Sequence, residues 1–163
     1  MPKINFKKTC AIILCGGKGT RLGQKGLKKN KTLIKYQGFP LIYHILKYLN
    51  KFSINKVIIP FGYKGLPIKK YVNKKFNSKN ILCFNAGTDT SIIQRIKKSL
   101  KYIDDSYTNI LILNGDSYYN FNLNKLINAK LCNKKILINL VCTKLILNYG
   151  FVEKNTKSKS INF

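Results

Sequence analysis

Short apolar runs alternate with amphipathic segments along this chain, and this alternation constrains the fold more than any other feature of the sequence. A continuous apolar run predicts a buried strand at 9–15, and further apolar runs predict strands at 57–61, 81–84, 109–113 and 136–141, with a sixth candidate at 149–153. Apolar residues at helical spacing predict helices at 40–51, 66–76, 91–103 and 123–129. Strands and helices in this order predict an α/β fold, a three-layer sandwich with a mostly parallel sheet between helices.

Two parts of this pattern depend on particular residues. The helix at 91–103 is predicted from apolar residues that recur about every four positions, Ile92, Ile96, Leu100 and Ile103. Near the end of the sequence, the polar segment 154–160 predicts a hairpin turn, so that a further strand begins at Ile161.

The length and composition suit one globular domain. The sequence has 163 residues, of which 45% are hydrophobic, and we predict a single domain over 1–163. No apolar run approaches the roughly 20 residues of a membrane-spanning helix. The first residues lack the apolar stretch of a signal peptide. We therefore expect a soluble, cytoplasmic protein without a membrane partner.

The cysteines are predicted to be free thiols. They are Cys10, Cys15, Cys83, Cys132 and Cys142. Their number is odd and no CxxC pair occurs, which suits buried thiols in a reducing compartment. A zinc site is not expected, because the spacing is wrong and His44 is the single histidine. A lone histidine on a predicted helix is expected to be structural.

The charge balance is strongly basic, with 31 Lys and Arg against 5 Asp and Glu and a net charge of +26. Such a charge indicates either binding to nucleic acid or anionic membranes, or a coding bias toward lysine. The lysines extend from Lys3 to Lys159 without a dense block, which favours the bias. Either way, a basic surface attracts nucleotides and phosphorylated substrates.

A loop rich in glycine and basic residues follows the first predicted strand. It reads Gly16-Gly17-Lys18-Gly19-Thr20-Arg21. Glycines let backbone N–H groups approach phosphates closely, and the basic side chains add positive charge. The spacing matches neither GxxxxGK[ST] nor GxGxxG. The loop is therefore a candidate phosphate site of another kind, and the alternative is an ordinary glycine turn.

A second polar loop, Leu113-Asn114-Gly115-Asp116-Ser117, follows the fourth predicted strand. An aspartate at a strand end is a suitable Mg²⁺ ligand, and Mg²⁺ commonly accompanies phosphates. Asn-Gly-Asp is also a common turn, so both interpretations stay open. Because ligands of parallel sheets lie beyond the carboxyl ends of the strands, both loops would open at one edge.

Arginine is rare in this lysine-rich chain. Only Arg21 and Arg95 occur among the 31 basic residues. Arginine provides a planar fork that contacts phosphate with two hydrogen bonds, which lysine cannot do. The two positions are therefore candidate phosphate contacts, and chance retention is the alternative.

Together these motifs resemble the sugar-phosphate nucleotidyltransferases. An apolar strand leads into GGxGTRL at 11–22, a PKP-like segment contains Lys31, and G-x-P-hydrophobic follows at 38–41. The segments 61–71 and 87–97 resemble the glucose-1-phosphate cytidylyltransferase branch, and Asn114-Gly115-Asp116 resembles the metal-binding turn of the family. The resemblance implies a Rossmann-like, glycosyltransferase-A-like fold.

The resemblance also implies a reaction and its residues. A sugar 1-phosphate attacks the α-phosphate of a nucleoside triphosphate, with CTP favoured, to give an NDP-sugar for surface polysaccharide and pyrophosphate. Lys31 and Arg21 would be catalytic, Asp116 would bind Mg²⁺, and Gly115 would pack close to the ligand. The other implied nucleotide-binding residues are Leu14, Cys15, Gly16, Gly17, Lys18, Gly19, Thr20, Thr90 and Arg95.

Three departures from the family pattern stand out. Asn30 and Thr32 replace prolines beside Lys31, which we expect to loosen a rigid turn. Ile92-Ile93-Gln94 replaces small residues and would alter the choice of base or acceptor. The sequence ends before the second metal-binding aspartate of the family, and Glu153 is the only carboxylate after Asp116, so we expect the domain to be incomplete at its C-terminus.

These departures leave other functions open. The chain is alternatively a non-catalytic nucleotide-binding remnant, one piece of a split enzyme, or a guanylyltransferase acting on a related acceptor. A nucleic-acid-binding protein is a third class, but stacked aromatics at a recognisable RNA-binding spacing are lacking. The expected partners are a nucleoside triphosphate and a sugar 1-phosphate, and a homo-oligomer is compatible with the sequence.

Overall fold

The computed structural model describes residues 5–17, 30–76, 78–128, 153–154 and 161–162. The chain divides into two compact units, 1–127 and 128–163. In chain order the strands of the first unit are β1 (Thr9–Leu14), β2 (Lys35–Tyr36), β3 (Phe39–Pro40), β4 (Lys56–Phe61), β5 (Ile81–Asn85) and β6 (Asn109–Asn114). Its α-helices are α1 (Leu41–Lys51), α2 (Leu66–Lys75) and α3 (Ile92–Leu100). Short 3₁₀-helices lie at Phe6–Lys8, Lys31–Leu33, Ser78–Asn80 and Leu123–Asn128.

The central sheet has 4 parallel strands in the order β5-β4-β1-β6. Ile12 of β1 pairs with Ile58 of β4 on one side and with Ile112 of β6 on the other. The chain builds the sheet outward from β1 through β4 to β5, and then returns to the opposite side of β1 for β6. Parallel strands require such crossovers, and each of the three contains one α-helix, α1 between β1 and β4, α2 between β4 and β5, and α3 between β5 and β6.

Helices cover both faces of this sheet, as the sequence predicts. On one face, Ala11 and Ile13 pack in a core with residues of α1 and α2, including Ile45 and Ile68. On the other face, Cys10, Ile12 and Ile58 form a smaller core against which Ile96 of α3 packs. Continuous apolar strands are buried on both faces in this arrangement, which explains why β1 and β4 lack polar alternation. The three-layer α/β prediction is confirmed.

Helix α3 differs from its sequence pattern. It ends at Leu100 rather than at 103, because the next backbone bonds, from Tyr102 to Ser99 and from Ile103 to Leu100, have 3₁₀ spacing. Its fully buried residues are Arg95 and Ser99, whereas Ile92 and Leu100 are 62% and 42% exposed. The predicted apolar stripe is therefore only partly buried, since Ile96 and Ile103 pack against the smaller core whereas Ile92 and Leu100 are exposed.

The hairpin of β2 and β3 is not evident from the sequence. Tyr36 pairs with Phe39 across a two-residue turn in which Gln37 and Gly38 have φ values of 47° and 83°. Two successive positive φ angles are typical of a type I′ hairpin turn. Each strand has only two residues, so the run is too short to show alternation.

The second unit contains a short antiparallel pair, β7 (Glu153–Lys154) and β8 (Ile161–Asn162). The strand that begins at Ile161 agrees with the prediction. Residues 155–160 of the predicted hairpin turn and 149–152 of the sixth candidate strand lie outside the described residues. The predicted strand at 136–141 lies outside the described residues, and the helix predicted at 123–129 is a 3₁₀-helix, Leu123–Asn128. The single domain over 1–163 stays a prediction. In the described part of the chain, no helix has the length and apolar character needed to span a bilayer.

Candidate functional site

The carboxyl ends of β1 and β6 lie side by side. The two strands pair along their whole length, from Thr9 with Asn109 to Leu14 with Asn114. The Gly115 amide then donates to the Leu14 carbonyl at 3.0 Å, so the two following loops begin in contact. Here the order of strands reverses, and in open α/β sheets ligands bind outside the strand ends at this point.

A cavity of about 500 Å³ opens at this edge of the sheet. Its walls come from four segments, 14–17, 30–32, 88–95 and 114–116. The predicted site residues that line it are Leu14, Cys15, Gly16, Gly17, Lys31, Thr90, Arg95 and Asp116. Lys18, Gly19, Thr20 and Arg21 lie outside the described residues. The volume is in the range of small-molecule and cofactor sites.

Gly115 lies beneath this cavity in a position with no room for a side chain. A Cβ atom there would lie 2.6 Å from Cys15 Sγ and 2.9 Å from both the Leu14 carbonyl oxygen and Thr32 Oγ1. The carbonyl cannot yield, because it already accepts the hydrogen bond of the Gly115 amide. Glycine at this position therefore permits close packing between the two loops.

Alanine at Gly115 should lower the free energy of unfolding by about 1–3 kcal/mol, the usual cost of overpacking. Gly17 is the matched control, because it lines the same cavity and nothing lies within 4 Å of the position of its Cβ. Urea denaturation of Gly115→Ala and Gly17→Ala measures both effects. Equal stabilities of the two variants would contradict the packing argument.

Arg95 joins two walls of the cavity. Its Nη2 donates to the carbonyls of Gly16 and Thr88, each at 3.2 Å, and its Nε donates to the carbonyl of Thr90 at 3.0 Å. The residue is 4% exposed, and burial lowers its pKa from the ordinary value. Nη1 has no hydrogen-bond partner among the described residues.

Two glycines make room for this guanidinium. A Cβ on Gly16 would collide with Nη1 of Arg95, and a Cβ on Gly62 would lie 2.7 Å from the same atom. The sequence predicted that the planar fork meets phosphate, whereas in the structure it binds backbone carbonyls of two loops. Thr90 is similarly engaged, since its hydroxyl donates to the Ala86 carbonyl at 2.6 Å. Direct contact of Arg95 or Thr90 with a nucleotide stays a prediction.

Lys31 begins the 3₁₀-helix that forms another wall of the cavity. The expected loosening beside it is not observed, because both of its neighbours are buried, Asn30 at 5% and Thr32 at 2% exposure. The Asn30 side chain caps the turn by accepting a hydrogen bond from the Thr32 amide at 3.1 Å. Hydrogen bonds thus supply the order that proline would have supplied through its ring.

Cys15 lines the cavity, and its thiol is chemically unreactive at neutral pH. Burial raises its pKa to about 12, against a smaller lowering by the hydrogen bond with Thr32. Burial also raises the pKa values of Cys10 and Cys83 to about 11. All three are free, as predicted, and they are protonated at neutral pH. Cys132 and Cys142 lie outside the described residues.

Two aspartates line the cavity, Asp89 and Asp116, with Asn114 next to the second. Over the described residues, no group of three or more His, Cys, Asp or Glu side chains could hold a metal ion alone. Carboxylate and amide oxygens are the donors that Mg²⁺ prefers, and Mg²⁺ takes its remaining ligands from water and substrate phosphates. The donor set around Asp116 therefore fits a Mg²⁺ ion that arrives with a nucleotide.

His44 is apart from the residues that line this cavity. Its Nε2 lies 2.8 Å from the Tyr36 carbonyl oxygen, and its ring makes edge contacts with Tyr36, Tyr43 and Tyr118. These contacts support the structural role expected from the sequence.

A family model for nucleotidyl transferases matches residues 10–163. The chain belongs to the nucleotidyl transferase family. The resemblance inferred from the motifs is thereby confirmed, and so is the family's fold.

Curated relatives of this nucleotidyl transferase are named for different nucleotides, one as a cytidylyltransferase and another as a guanylyltransferase. A probable glucose-1-phosphate cytidylyltransferase of Bacillus subtilis is 33% identical over an alignment of 138 residues, and the match covers 72% of this chain and 54% of the relative. The D-glycero-α-D-manno-heptose 1-phosphate guanylyltransferase of Campylobacter jejuni is 33% identical over 156 residues, which are 94% of this chain and 66% of the relative. The chain thus spans about half to two-thirds of the length of these relatives.

Solved structures agree with this assignment to the nucleotidyl transferases. The structure of HddC from Yersinia pseudotuberculosis complexed with GMP-PN has a TM-score of 0.61 and 28% identity. The matched region covers 74% of this chain and 53% of the HddC chain.

Proposed function

We propose that this chain takes part in transferring a nucleoside monophosphate from a nucleoside triphosphate to a sugar 1-phosphate, releasing pyrophosphate. One observation carries the proposal. The cavity at the reversal point of the sheet brings Lys31 and Asp116 together with the glycines that follow β1. A cation, a carboxylate and exposed backbone are what phosphoryl transfer requires, because the protein's task is positioning and neutralising charge.

Each wall of the cavity has a part in this proposal. Residues 14–17 would line the nucleotide, and Lys18, Gly19, Thr20 and Arg21 would hold its phosphates. Lys31 would bridge the α-phosphate and the acceptor phosphate. Thr90 and Arg95 would support the nucleotide from the opposite wall, by contact or by holding the loops that make contact.

Asp116, with Asn114 beside it, would hold the Mg²⁺ ion. When bound, the ion would neutralise charge on the phosphates. The net charge of +26 on the chain would add a long-range attraction for the anionic substrates.

CTP is the nucleotide we propose, and GTP is the alternative. The pattern of Thr90 and Arg95 favours the cytidylyltransferase branch. Ile92, which lines the cavity and is 62% exposed, is bulky where the family has small residues, and this departure from the branch would alter the choice of base or acceptor. The guanylyltransferase relative at equal identity keeps GTP as the second candidate.

A binding and turnover panel tests both parts of this proposal. Calorimetry with CTP, GTP, ATP and UTP in the presence of Mg²⁺ should give the tightest binding for CTP. Pyrophosphate release is then measured with glucose 1-phosphate and a heptose 1-phosphate as acceptors. Tighter binding of GTP than of CTP would change the proposed base from cytosine to guanine. Nucleotide binding without pyrophosphate release would support the non-catalytic alternative. Failure to bind any of the four nucleotides would overturn the proposed function.

We further propose that the product is used for surface polysaccharide and that the protein acts in the cytoplasm. Both statements follow from the family resemblance. Detection of the chain in the cytosolic fraction of its cells would support the second.

A further inference from the structure

We infer that Asn30 is a positioning residue that fixes Lys31 by tying three segments of the site together. The inference rests on the proposed role of Lys31. The Asn30 amide nitrogen donates to the Cys15 carbonyl at 3.2 Å and to the Tyr63 carbonyl at 3.0 Å. Its carbonyl oxygen accepts from the Thr32 amide at 3.1 Å. One side chain thus links the end of β1, the loop after β4 and the turn that carries Lys31.

Asparagine suits this position for a chemical reason. A primary amide has two N–H donors and one carbonyl acceptor, and all three functions are used here. A carboxylate of the same shape would place negative oxygen against two carbonyl oxygens. Because Asn30 is 5% exposed, water is poorly placed to replace the lost partners.

Thr32 fixes the turn from its other end. It is 2% exposed, and its hydroxyl forms a hydrogen bond with the thiol of Cys15. Lys31 therefore lies between two buried residues that both contact Cys15, one through its backbone and the other through its side chain. Lys31 itself lines the cavity.

A fixed backbone matters because lysine is a flexible side chain. Its ammonium group sits on a four-carbon stem, and ordering that stem is entropically unfavourable. The protein limits the positions of Nζ mainly by fixing where the stem begins. Asn30 does this without touching the substrate, so it is not itself a catalytic residue.

The test measures Lys31 directly, so that it does not depend on turnover. Mass spectrometry after brief acetylation reports the modification rate of Lys31 relative to Lys35, an exposed lysine of β2 outside the cavity lining. In the chain without substitutions we expect Lys31 to be acetylated more slowly than Lys35. In Asn30→Asp the protection of Lys31 should fall by about tenfold, which corresponds to about 1.4 kcal/mol, the upper end of the net contribution of one hydrogen bond.

Two further variants separate the possible causes. Asn30→Ser retains an oxygen that caps the turn but cannot reach both carbonyls, so it should also expose Lys31. Asn55→Asp makes the same chemical change at an exposed residue and should leave the rate unaltered. Thermal unfolding of each variant checks that the fold is retained, and if Asn30→Asp does not fold, Asn30→Ser decides the test.

Kinetics then separates positioning from general destabilisation. Asn30→Ser should lower kcat for pyrophosphate release by about tenfold and change KM for the nucleotide little. Unchanged acetylation of Lys31 in the folded Asn30→Ser variant would overturn the inference. Absence of nucleotide binding by the unmodified chain would count against the proposed function alone, because the acetylation test needs no ligand.

Discussion

Replacing Lys31 with alanine should lower kcat for pyrophosphate release by about 10²–10³-fold, the usual effect of removing one preorganised electrostatic contact. Lys31 lines the cavity that also contains Asp116, and it follows a residue anchored by three hydrogen bonds. The backbone at Lys31 is therefore fixed before the substrates arrive, and its ammonium group would neutralise the negative charge that accumulates during transfer. The affinity for Mg²⁺–nucleotide should change much less, because the glycine segment and the opposite wall are retained.

Lys35→Ala is the matched control for this substitution. It removes the same charge from an exposed position four residues further along the chain, so any loss due only to net charge appears in both variants. The measurements are pyrophosphate release at saturating nucleotide and calorimetry of nucleotide binding. Equal activity of the two variants would remove Lys31 from the proposed mechanism.

Replacing Arg95 with methionine should lower the free energy of unfolding by about 2–4 kcal/mol, since several carbonyls lose a charged donor at once. Methionine retains much of the volume, but the carbonyls of Gly16, Thr88 and Thr90 would have to find other partners. Removing the guanidinium also removes the unfavourable free energy of keeping a charge buried. The expected loss of stability is therefore smaller than the sum of the contributions of three separate hydrogen bonds.

Lys98→Met provides the control on the same helix. The Lys98 ammonium donates to a single carbonyl, that of Ala86, at 2.8 Å, and its side chain is exposed. We expect this variant to lose less than about 1 kcal/mol. Guanidinium denaturation compares the two. A similar loss for both would show that Arg95 contributes no more than a surface lysine.

Periodicity predicted those parts of the fold that depend on local sequence. The strands predicted at 9–15, 57–61, 81–84 and 109–113 match β1, β4, β5 and β6 to within one residue at each end. The signal is clearest in β1 and β4, which are buried on both faces and therefore continuously apolar. The hairpin of β2 and β3 was missed, because two residues per strand give no period. Helix α3 was predicted as a helix, but its apolar stripe is only partly buried, because its inner side also carries Arg95 and Ser99.

The site was predictable only where a motif is contiguous. Asn114-Gly115-Asp116 and the glycines after β1 are local signals, and the structure brings both to one cavity. The hydrogen bond between Arg95 and Gly16 joins residues 79 positions apart in the sequence. Every residue has a backbone carbonyl, so the sequence does not indicate which one accepts this bond. The role of Asn30 was hidden for the same reason, since two of its partners are distant carbonyls. The rarity of arginine and the family resemblance both identified Arg95, but neither identified its hydrogen-bond partners.

The hydrogen bonds of Arg95 have a further consequence for how a ligand enters. The segment after β1 and the segment before α3 are joined through one guanidinium, so a relative movement of the two would break its hydrogen bonds. The walls at 30–32 and 114–116 are likewise bonded to the end of β1, through the side-chain amide of Asn30 and the backbone amide of Gly115. These walls are ordered when the chain folds, so a ligand that binds between them does not have to offset the loss of their conformational entropy.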